Sequence, residues 1–309
     1  MKGVKIIITI FLLRFPFVCF AGEGTTTANF LKFSYSARQS SLAGAYSAIG
    51  DDSNAIFSNP AGIIDAENKQ LGVGFVNYLL DSKSGFISYK TQAKNSDIAF
   101  GVIGFEVDSI DKRTKDYEGI VPSEGSFNST DMSFLFAYAK KDFASSLLDN
   151  LNAGFVFKFI NSKIDSSSAQ SIAFDLGFLY RYSSNINISF VLSNLGTKMK
   201  YEQESDNIPL SLKAGFLYKI DKKANIVAEV EEFIYDEKFY PSIGAEWYLK
   251  ESFVLRGGYR FGYDTSNLGS MVGFAAGFGI ITKEVGFNYA YVPFGDLGNI
   301  NRFDIQLKF

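Results

Sequence analysis

Apolar and polar side chains alternate over most of this 309-residue chain, from about Gln70 to the C-terminal Phe309. Alternation places successive side chains on opposite faces of a β-strand, so each such segment predicts a strand with one apolar and one polar face. In the last seven residues, the side chains of the apolar face are those of Phe303, Ile305, Leu307 and Phe309. No stretch after the N-terminal region is apolar for long enough to form a membrane-spanning helix. The pattern therefore predicts a fold built from strands.

About fourteen alternating segments can be counted, and most of them are long. They lie near residues 70–80, 84–93, 96–108, 128–141, 150–164, 169–182, 184–195, 208–220, 223–234, 238–250, 252–264, 267–281, 284–293 and 301–309. A strand that crosses a membrane needs about 9–11 residues, whereas strands of globular proteins average about 5–6. Single-chain bacterial membrane barrels have an even number of strands, so the sequence predicts an all-β fold, a transmembrane antiparallel β-barrel of about 14 strands over residues 70–309.

The connections between these segments differ in length on the two sides of the predicted barrel. The longer ones are 109–127, 161–168, 196–207 and 294–300, and each of them follows an odd-numbered strand. Short periplasmic turns and longer external loops are typical of outer-membrane barrels, so both ends of the barrel segment are expected to face the periplasm. The exception on the short side is 142–149, which is predicted to form a short interfacial helix.

Residues 1–21 are predicted to form an export signal. Lys2 and Lys5 precede an apolar run from Ile6 to Leu13, and Cys19-Phe20-Ala21 forms a small-x-small cleavage site. The apolar run is about eight residues long, which is too short to span a bilayer as a helix. Cleavage after Ala21 would remove the only cysteine of the chain.

The composition argues against several kinds of function. The sequence has no histidine, and its only cysteine lies in the predicted signal, so Ser-His-Asp sites, Cys-His sites and His-ligated metal centres cannot form. Glu231 and Glu232 are adjacent, and on a strand they point to opposite faces, so they do not make a catalytic pair. The formal net charge of −3 argues against nucleic-acid binding. We therefore expect no enzyme activity, no metal site, no cofactor and no nucleic-acid partner.

Charged residues recur on the polar faces of the predicted strands, and these faces should line the lumen because a charge that faces lipid is costly. The nine residues are Lys158, Asp175, Arg181, Lys213, Glu229, Glu231, Glu246, Arg256 and Arg260. They form either a charged lumen that a solute or protein segment meets, or neutralising pairs that fill and stiffen the barrel. For any single residue, the pairing is the favoured interpretation.

The alternation is absent between residues 28 and 67, so residues 22–69 are predicted to form a small N-terminal plug segment inside the barrel. The run from 37 to 62 is rich in small residues and contains short helical stretches and turns. Asp51 and Asp52 can cap a short helix, and Asn59-Pro60 indicates a turn.

Several stretches resemble the PorV/PorQ family of outer-membrane barrels, a branch of the long-chain fatty-acid transporter superfamily. Residues 37–63 read ARQSSLAGAYSAIGDDSNAIFSNPAGI and are similar to the N-terminal plug signature of that family. Residues 246–264 and 288–309 resemble its last strands, and residues 192–201 resemble a segment in the middle of its barrel. The likeness covers both ends of the chain and scattered positions between them. Asn301 departs from the pattern, because family members often carry histidine there.

The resemblance implies a location in the bacterial outer membrane and a plug that acts as a gate. The implied plug and gate residues are Asp51, Asp52, Asn59, Pro60, Ala61 and Gly62. It also implies contact with outer-membrane lipid and with the barrel-assembly machinery. That machinery would read the last strand as its signal, through Phe303, Ile305, Leu307 and Phe309.

Three functions are open from the sequence. The main hypothesis, implied by the resemblance, is a non-enzymatic barrel that handles or holds exported proteins, with secretion components (type IX in the family's namesakes) or exported cargo as partners. The alternative is a transport channel for hydrophobic solutes such as long-chain fatty acids, which would bind near the plug and leave through a lateral gap. That alternative predicts a kinked or bulged strand opposite the plug. The third is a structural barrel that makes surface contacts through loops 109–127 and 196–207.

Overall fold

The structure, a computed structural model, is a closed barrel around an N-terminal plug. It describes residues 25–67, 69–79, 82–113, 124–145, 148–250, 252–263 and 265–309. Fourteen antiparallel strands form the barrel, which closes because the first strand pairs with the last. The predicted fold class is therefore confirmed. The predicted export signal, residues 1–21, lies outside the described residues.

The strands lie close to the predicted segments, and each of the fourteen predicted segments overlaps one barrel strand. The strands are β1 (Gln70–Asn77), β2 (Lys83–Ala93), β3 (Ser96–Asp111), β4 (Ser126–Lys140), β5 (Leu151–Ile164), β6 (Ser167–Arg181), β7 (Ile186–Gly196), β8 (Met199–Tyr201), β9 (Glu204–Asp206), β10 (Ser211–Ile220), β11 (Ala224–Phe233), β12 (Lys238–Lys250), β13 (Phe253–Arg260), β14 (Phe274–Ile281), β15 (Val285–Pro293) and β16 (Asn299–Lys308). Strands β8 and β9 form a separate hairpin in the connection between β7 and β10, which the sequence analysis did not predict.

The apolar faces of the strands point outward, and the faces that point inward are the buried ones. Ile87 and Phe100 are each 51% exposed, whereas Ser88 and Ala99, their neighbours in sequence, are each 0% exposed. A water-soluble barrel would reverse this order, because apolar side chains would then avoid the solvent. An exposed apolar band is the surface that a membrane barrel presents to lipid.

The two ends of the barrel differ as the sequence predicts. At the inner end, where β1 begins and β16 ends, turns such as 94–95, 221–223 and 282–284 are two or three residues long. At the outer end, the connections 112–125, 197–210 and 261–273 are much longer.

One prediction about the connections is wrong, and another falls partly outside the described residues. Residues 161–168 are not a long loop, because β5 and β6 continue to a two-residue turn at Asp165 and Ser166, with Asp165 at φ 52°. Residues 142–149 form no helix within the described part, where 141–145 are turns. Residues 146 and 147 of that segment lie outside the described residues.

Strands β13 and β14 are shorter than the segments 252–264 and 267–281. Gly262 and Gly273 have φ values of 96° and 99°, which residues with a Cβ rarely adopt. These angles take the backbone out of the strand conformation. The connection between them contains a one-turn helix, Thr265–Leu268. Local alternation alone does not reveal where such glycines end a strand.

Residues 28–66 form the plug and lie inside the barrel. The plug contains helix α1 (Ala37–Ser41) and three short 3-10 helices, Asn29–Lys32, Ser53–Phe57 and Pro60–Asp65. Helix α1 packs against β13–β16, and the 3-10 helix Pro60–Asp65 packs against β3–β6. No helix in the described part of the chain is both long and apolar enough to cross a membrane.

The lumen has two chemically different halves. Against β2–β6, the plug residues Phe30, Ile56 and Ile63 pack into an apolar cluster with inward residues such as Ile103 and Ile160. Against β10–β16, a smaller apolar cluster includes Leu217 and Val227, and many of the other buried side chains are charged or polar. The sequence predicted inward faces that are polar throughout. They are not, because one half of the barrel packs against the apolar side of its own plug.

Candidate functional site

The turn Asn59–Gly62 is fixed to the barrel wall through the Asn59 side chain. Its Oδ1 accepts a hydrogen bond from the backbone N–H of Ala61 at 3.0 Å, which caps the following 3-10 helix. Its Nδ2 donates to the carbonyls of Ser47 at 2.8 Å and Phe178 at 3.2 Å. One side chain thus joins two parts of the plug to strand β6.

Two glycines of the wall make room for this turn. Gly154 of β5 and Gly177 of β6 are paired across the strands and face the lumen. A Cβ at Gly154 would lie 2.6 Å from the carbonyl carbon of Pro60, and one at Gly177 would lie 2.8 Å from its Cδ. The Asn-Pro turn is therefore packed directly against the backbone of the barrel.

The other predicted gate residues also contribute to the folding of the plug. A Cβ at Gly62 would lie 2.8 Å from the Cα of Gly50, so the two backbones touch. Asp52 caps the 3-10 helix Ser53–Phe57, since its Oδ1 accepts from the N–H of Asn54 at 2.9 Å. Asp51 forms an ion pair with Arg38. Whether these residues act as a gate stays a prediction.

Arg38, on helix α1, joins the plug to the charged half of the lumen. Its Nε donates to Oε1 of Glu246 at 2.7 Å, and its Nη2 donates to Oε2 at 2.9 Å. Arg256 donates from Nε to the same Oε1 at 2.8 Å, and all three side chains are buried. Burial alone would lower the pKa of Arg38, but the carboxylates of Asp51 and Glu246 hold it well above its usual value.

The remaining charged residues predicted to face the lumen also lie inside the barrel with polar partners. The ion pairs are Lys158–Asp175 at 2.7 Å, Lys213–Glu231 at 3.2 Å, Arg260–Glu231 at 2.8 Å and Arg181–Asp65. Glu229 accepts hydrogen bonds from the backbone N–H groups of Tyr46 at 3.2 Å and Ser47 at 2.8 Å. Three of these ion pairs join wall strands to each other, whereas the Arg181–Asp65 pair and the hydrogen bonds of Glu229 join the wall to the plug.

A cavity of about 280 Å³ opens between the plug and the outer ends of the strands on the charged side of the lumen. Six aromatic side chains form much of its wall: Phe33, Tyr78, Phe233, Tyr240, Tyr263 and Phe294. Several of these rings touch one another, with centroids 4.4 Å apart for Phe33 and Tyr78 and 5.5 Å apart for Tyr263 and Phe294. Ligand sites in proteins typically combine such apolar walls with a few placed polar groups.

The placed polar groups of this outer cavity are dominated by two arginines. The guanidinium of Arg260 lies 4.5 Å from the ring centre of Tyr240, and that of Arg302 lies 5.8 Å from the ring centre of Tyr78. Burial, partly offset by Arg302, raises the pKa of Tyr78 to about 12, so its hydroxyl stays neutral at pH 7. Arg302 was not among the predicted lumen residues, although it precedes the outward Phe303 and so shares the polar face of Asp304 and Gln306.

A second cavity, of about 240 Å³, lies at the inner end of the barrel and is lined by Arg38, Tyr248 and Lys308 among others. Helix α1 lies between the two cavities, since Arg38 lines the inner one and Ser40 lines the outer one. Helix α1, which the Arg38–Glu246 ion pair links to the wall, therefore separates the outer cavity from the inner one.

The barrel wall contains a bulge where β6 pairs with β7. Phe174 pairs with Leu195 and Leu176 with Leu192, so two residues of β7 oppose the single Asp175. One of them, Asn194 (φ 61°), donates from its backbone N–H to Oδ1 of Asp175 at 2.8 Å. The described strands contain two further register shifts, one between Val107 and Ile110 and one between Tyr248 and Lys250. The transport alternative predicts a kinked or bulged strand opposite the plug, and whether the bulge at Asn194 is that strand stays a prediction. The Asn194 side chain accepts a hydrogen bond from Nζ of Lys158 at 2.7 Å and donates one to the carbonyl of Pro209 at 3.0 Å.

The residues predicted as an assembly signal lie on the outward side of β16 and at the chain end. Phe303, Ile305 and Phe309 are exposed, and Leu307 is half-buried. Their recognition by the assembly machinery stays a prediction.

The sequence matches no protein-family model and no curated protein, but its fold matches solved structures. The toluene transporter TodX of Pseudomonas putida is 12% identical, with a TM-score of 0.66 over 88% of this chain and 96% of TodX. The toluene transporter TbuX of Ralstonia pickettii is 11% identical, with a TM-score of 0.64 over 89% and 98% of the two chains. A FadL homologue of Pseudomonas aeruginosa is 10% identical, with a TM-score of 0.58 over 89% and 98%. At such identities the likeness shows a shared fold.

Proposed function

We propose that this chain forms a channel in the bacterial outer membrane that takes up hydrophobic small molecules. The observation that carries the proposal is the aromatic-lined outer cavity, which lies directly above the plug at the end of the barrel that has the long connections. A molecule that arrives from outside would meet this cavity first. An apolar wall with few polar groups favours a ligand that is poorly soluble in water.

The fold supports the same proposal. TodX and TbuX are toluene transporters by description, and this chain shares their barrel over most of its length. The solute-channel alternative also predicts a kinked or bulged strand opposite the plug, and the bulge between β6 and β7 is a candidate for it. We therefore prefer that alternative to the protein-handling role that was the main hypothesis from the sequence.

The plug controls whether a bound molecule can pass from the outer cavity to the inner end of the barrel. Helix α1 lies between the outer and inner cavities, so a molecule bound in the outer cavity can reach the inner end only if this part of the plug moves. The ion pairs of Arg38 with Glu246 and Asp51 hold α1 in the closed arrangement. Since sequestration from water strengthens charge pairs, this contact stabilises the closed plug.

Filling the outer cavity should block uptake. Val292 of β15 lines the cavity, and Val285 of the same strand points outward. We expect Val292→Trp to reduce the protein-dependent uptake of radiolabelled toluene by cells about tenfold, whereas Val285→Trp should leave it unchanged. If cells with the Val292→Trp protein take up toluene as fast as those with the unaltered protein, the cavity is not on the transport route.

The protein-handling role makes a different prediction. A barrel that holds exported cargo should co-purify with stoichiometric exported proteins or secretion components after gentle extraction. The loops and the hairpin β8–β9 at the outer end would then be the contact surface. Co-purification without any bound small molecule would favour this second function.

A further inference from the structure

We propose that the outer cavity selects a compact organic anion, one carboxylate on an aromatic body, over neutral hydrocarbons. This inference deepens the proposed function and rests on it. Its basis is the side chain of Arg302, which lines the cavity and is 5% exposed.

Arg302 is a buried cation that lacks an anionic partner within the described part of the chain. Its guanidinium lies over the Tyr78 ring, and its Nε has no hydrogen-bond partner. Buried charges in proteins are ordinarily paired, because an unpaired one loses its hydration without compensation. A ligand carboxylate would supply the missing partner, and arginine presents a planar fork that fits it.

The other charged groups of the cavity do not neutralise the positive charge of Arg302. Lys32 is paired with Asp236 at 2.9 Å, and the Nη2 of Arg260 is paired with Glu231 at 2.8 Å. Arg260 also lines the cavity, and its buried Nε has no hydrogen-bond partner.

The walls determine the rest of the ligand. The six aromatic rings offer faces and edges to a flat apolar body, and aromatic pairs prefer such offset or edge-to-face contacts. A volume of about 280 Å³ is at the lower end of the range for small-molecule sites and suits a compact molecule better than an extended chain. A neutral hydrocarbon would displace water from Arg302 and replace none of its hydrogen bonds, so it should bind more weakly than an anion of the same shape.

The test compares two ligands that differ in charge and little in shape. Full-length protein in lipid nanodiscs is titrated calorimetrically with 2-naphthoate and with its neutral analogue 2-naphthamide. We expect 2-naphthoate to bind one per barrel, and 2-naphthamide to bind about tenfold or more weakly. Arg302→Met should remove this difference, whereas Arg302→Lys should retain much of it. The heat-dependent gel mobility of each variant shows that its barrel is folded.

The outcomes separate this inference from the proposed function. Equal affinity for the two ligands, or an unchanged affinity of Arg302→Met for 2-naphthoate, would overturn the charge selection and leave a hydrophobic-solute channel standing. Failure of both ligands to bind the unaltered protein would count against the cavity as a ligand site altogether. Oleate serves as a long-chain carboxylate, and tighter binding of oleate than of 2-naphthoate would contradict the compact body. Val292→Trp should abolish 2-naphthoate binding if the ligand sits in this cavity.

Discussion

Replacement of Glu246 by glutamine is expected to lower the free energy of unfolding by about 3–5 kcal/mol. Glu246 is 0% exposed and accepts hydrogen bonds from both Arg38 and Arg256. Glutamine would carry no charge, and its NH₂ group would face guanidinium donors, so Arg256 would lose its carboxylate partner. Among the described carboxylates, Arg38 would keep its contacts with Asp51 and Asp52.

The effect should appear in urea unfolding of the protein in lipid vesicles and in faster proteolysis of the plug. The matched control is Glu232→Gln on β11, where the carboxylate is exposed on the outward face. We expect this control to change the free energy of unfolding by less than about 0.5 kcal/mol. Equal stability of the two variants would show that the buried network does not hold the plug.

Gly177→Val should displace the Asn59–Pro60 turn and leave the barrel closed. The added Cβ would collide with Oδ1 of Asn59 and approach Cδ of Pro60 to 2.8 Å, and the branched valine adds two further carbons. Such overpacking typically costs about 1–3 kcal/mol, and the turn is the side that can move because the barrel strand is held on both edges. We expect a leak of ions through the lumen, measured as conductance across a planar bilayer.

Gly104→Val is the control for this experiment. Gly104 lies on β3, and a Cβ there would have its nearest neighbour at 4.0 Å, the carbonyl oxygen of Asp131. This variant should conduct no more than the unaltered protein. If the Gly177→Val protein conducts no more than the unaltered protein, the turn accommodates a side chain at residue 177. That result would contradict the close packing of the turn against the wall.

The barrel could be predicted from the sequence because its determinants are local. Alternation in segments such as 171–182 and 252–261 requires only that side chains of a strand point to opposite faces. The outward direction of the apolar face then followed from strand length and from the cost of exposing a charge to lipid. The sequence also predicted the long connections near 109–127 and 196–207 at one end, but it missed the connection 261–273 and wrongly predicted a long loop at 161–168.

The candidate site could not be predicted in the same way, because it depends on contacts between residues far apart in the chain. Arg302, Tyr78 and Phe33 belong to three different segments, and only the closed barrel with its plug brings them to one cavity. The apolar half of the lumen was missed for the same reason, since inward residues such as Ile103 are covered by the plug. The bulge at Asn194 depends on the pairing register of β6 and β7, which alternation does not specify.

The most direct test of a hydrophobic-solute channel is to identify what the native protein carries. The chain would be extracted gently from its own outer membrane into nanodiscs, and all bound small molecules and proteins would be identified by mass spectrometry. The account predicts a small, largely apolar molecule that co-purifies with the unaltered barrel and is lost from Val292→Trp. Stoichiometric exported proteins or secretion components, with no bound small molecule, would contradict it.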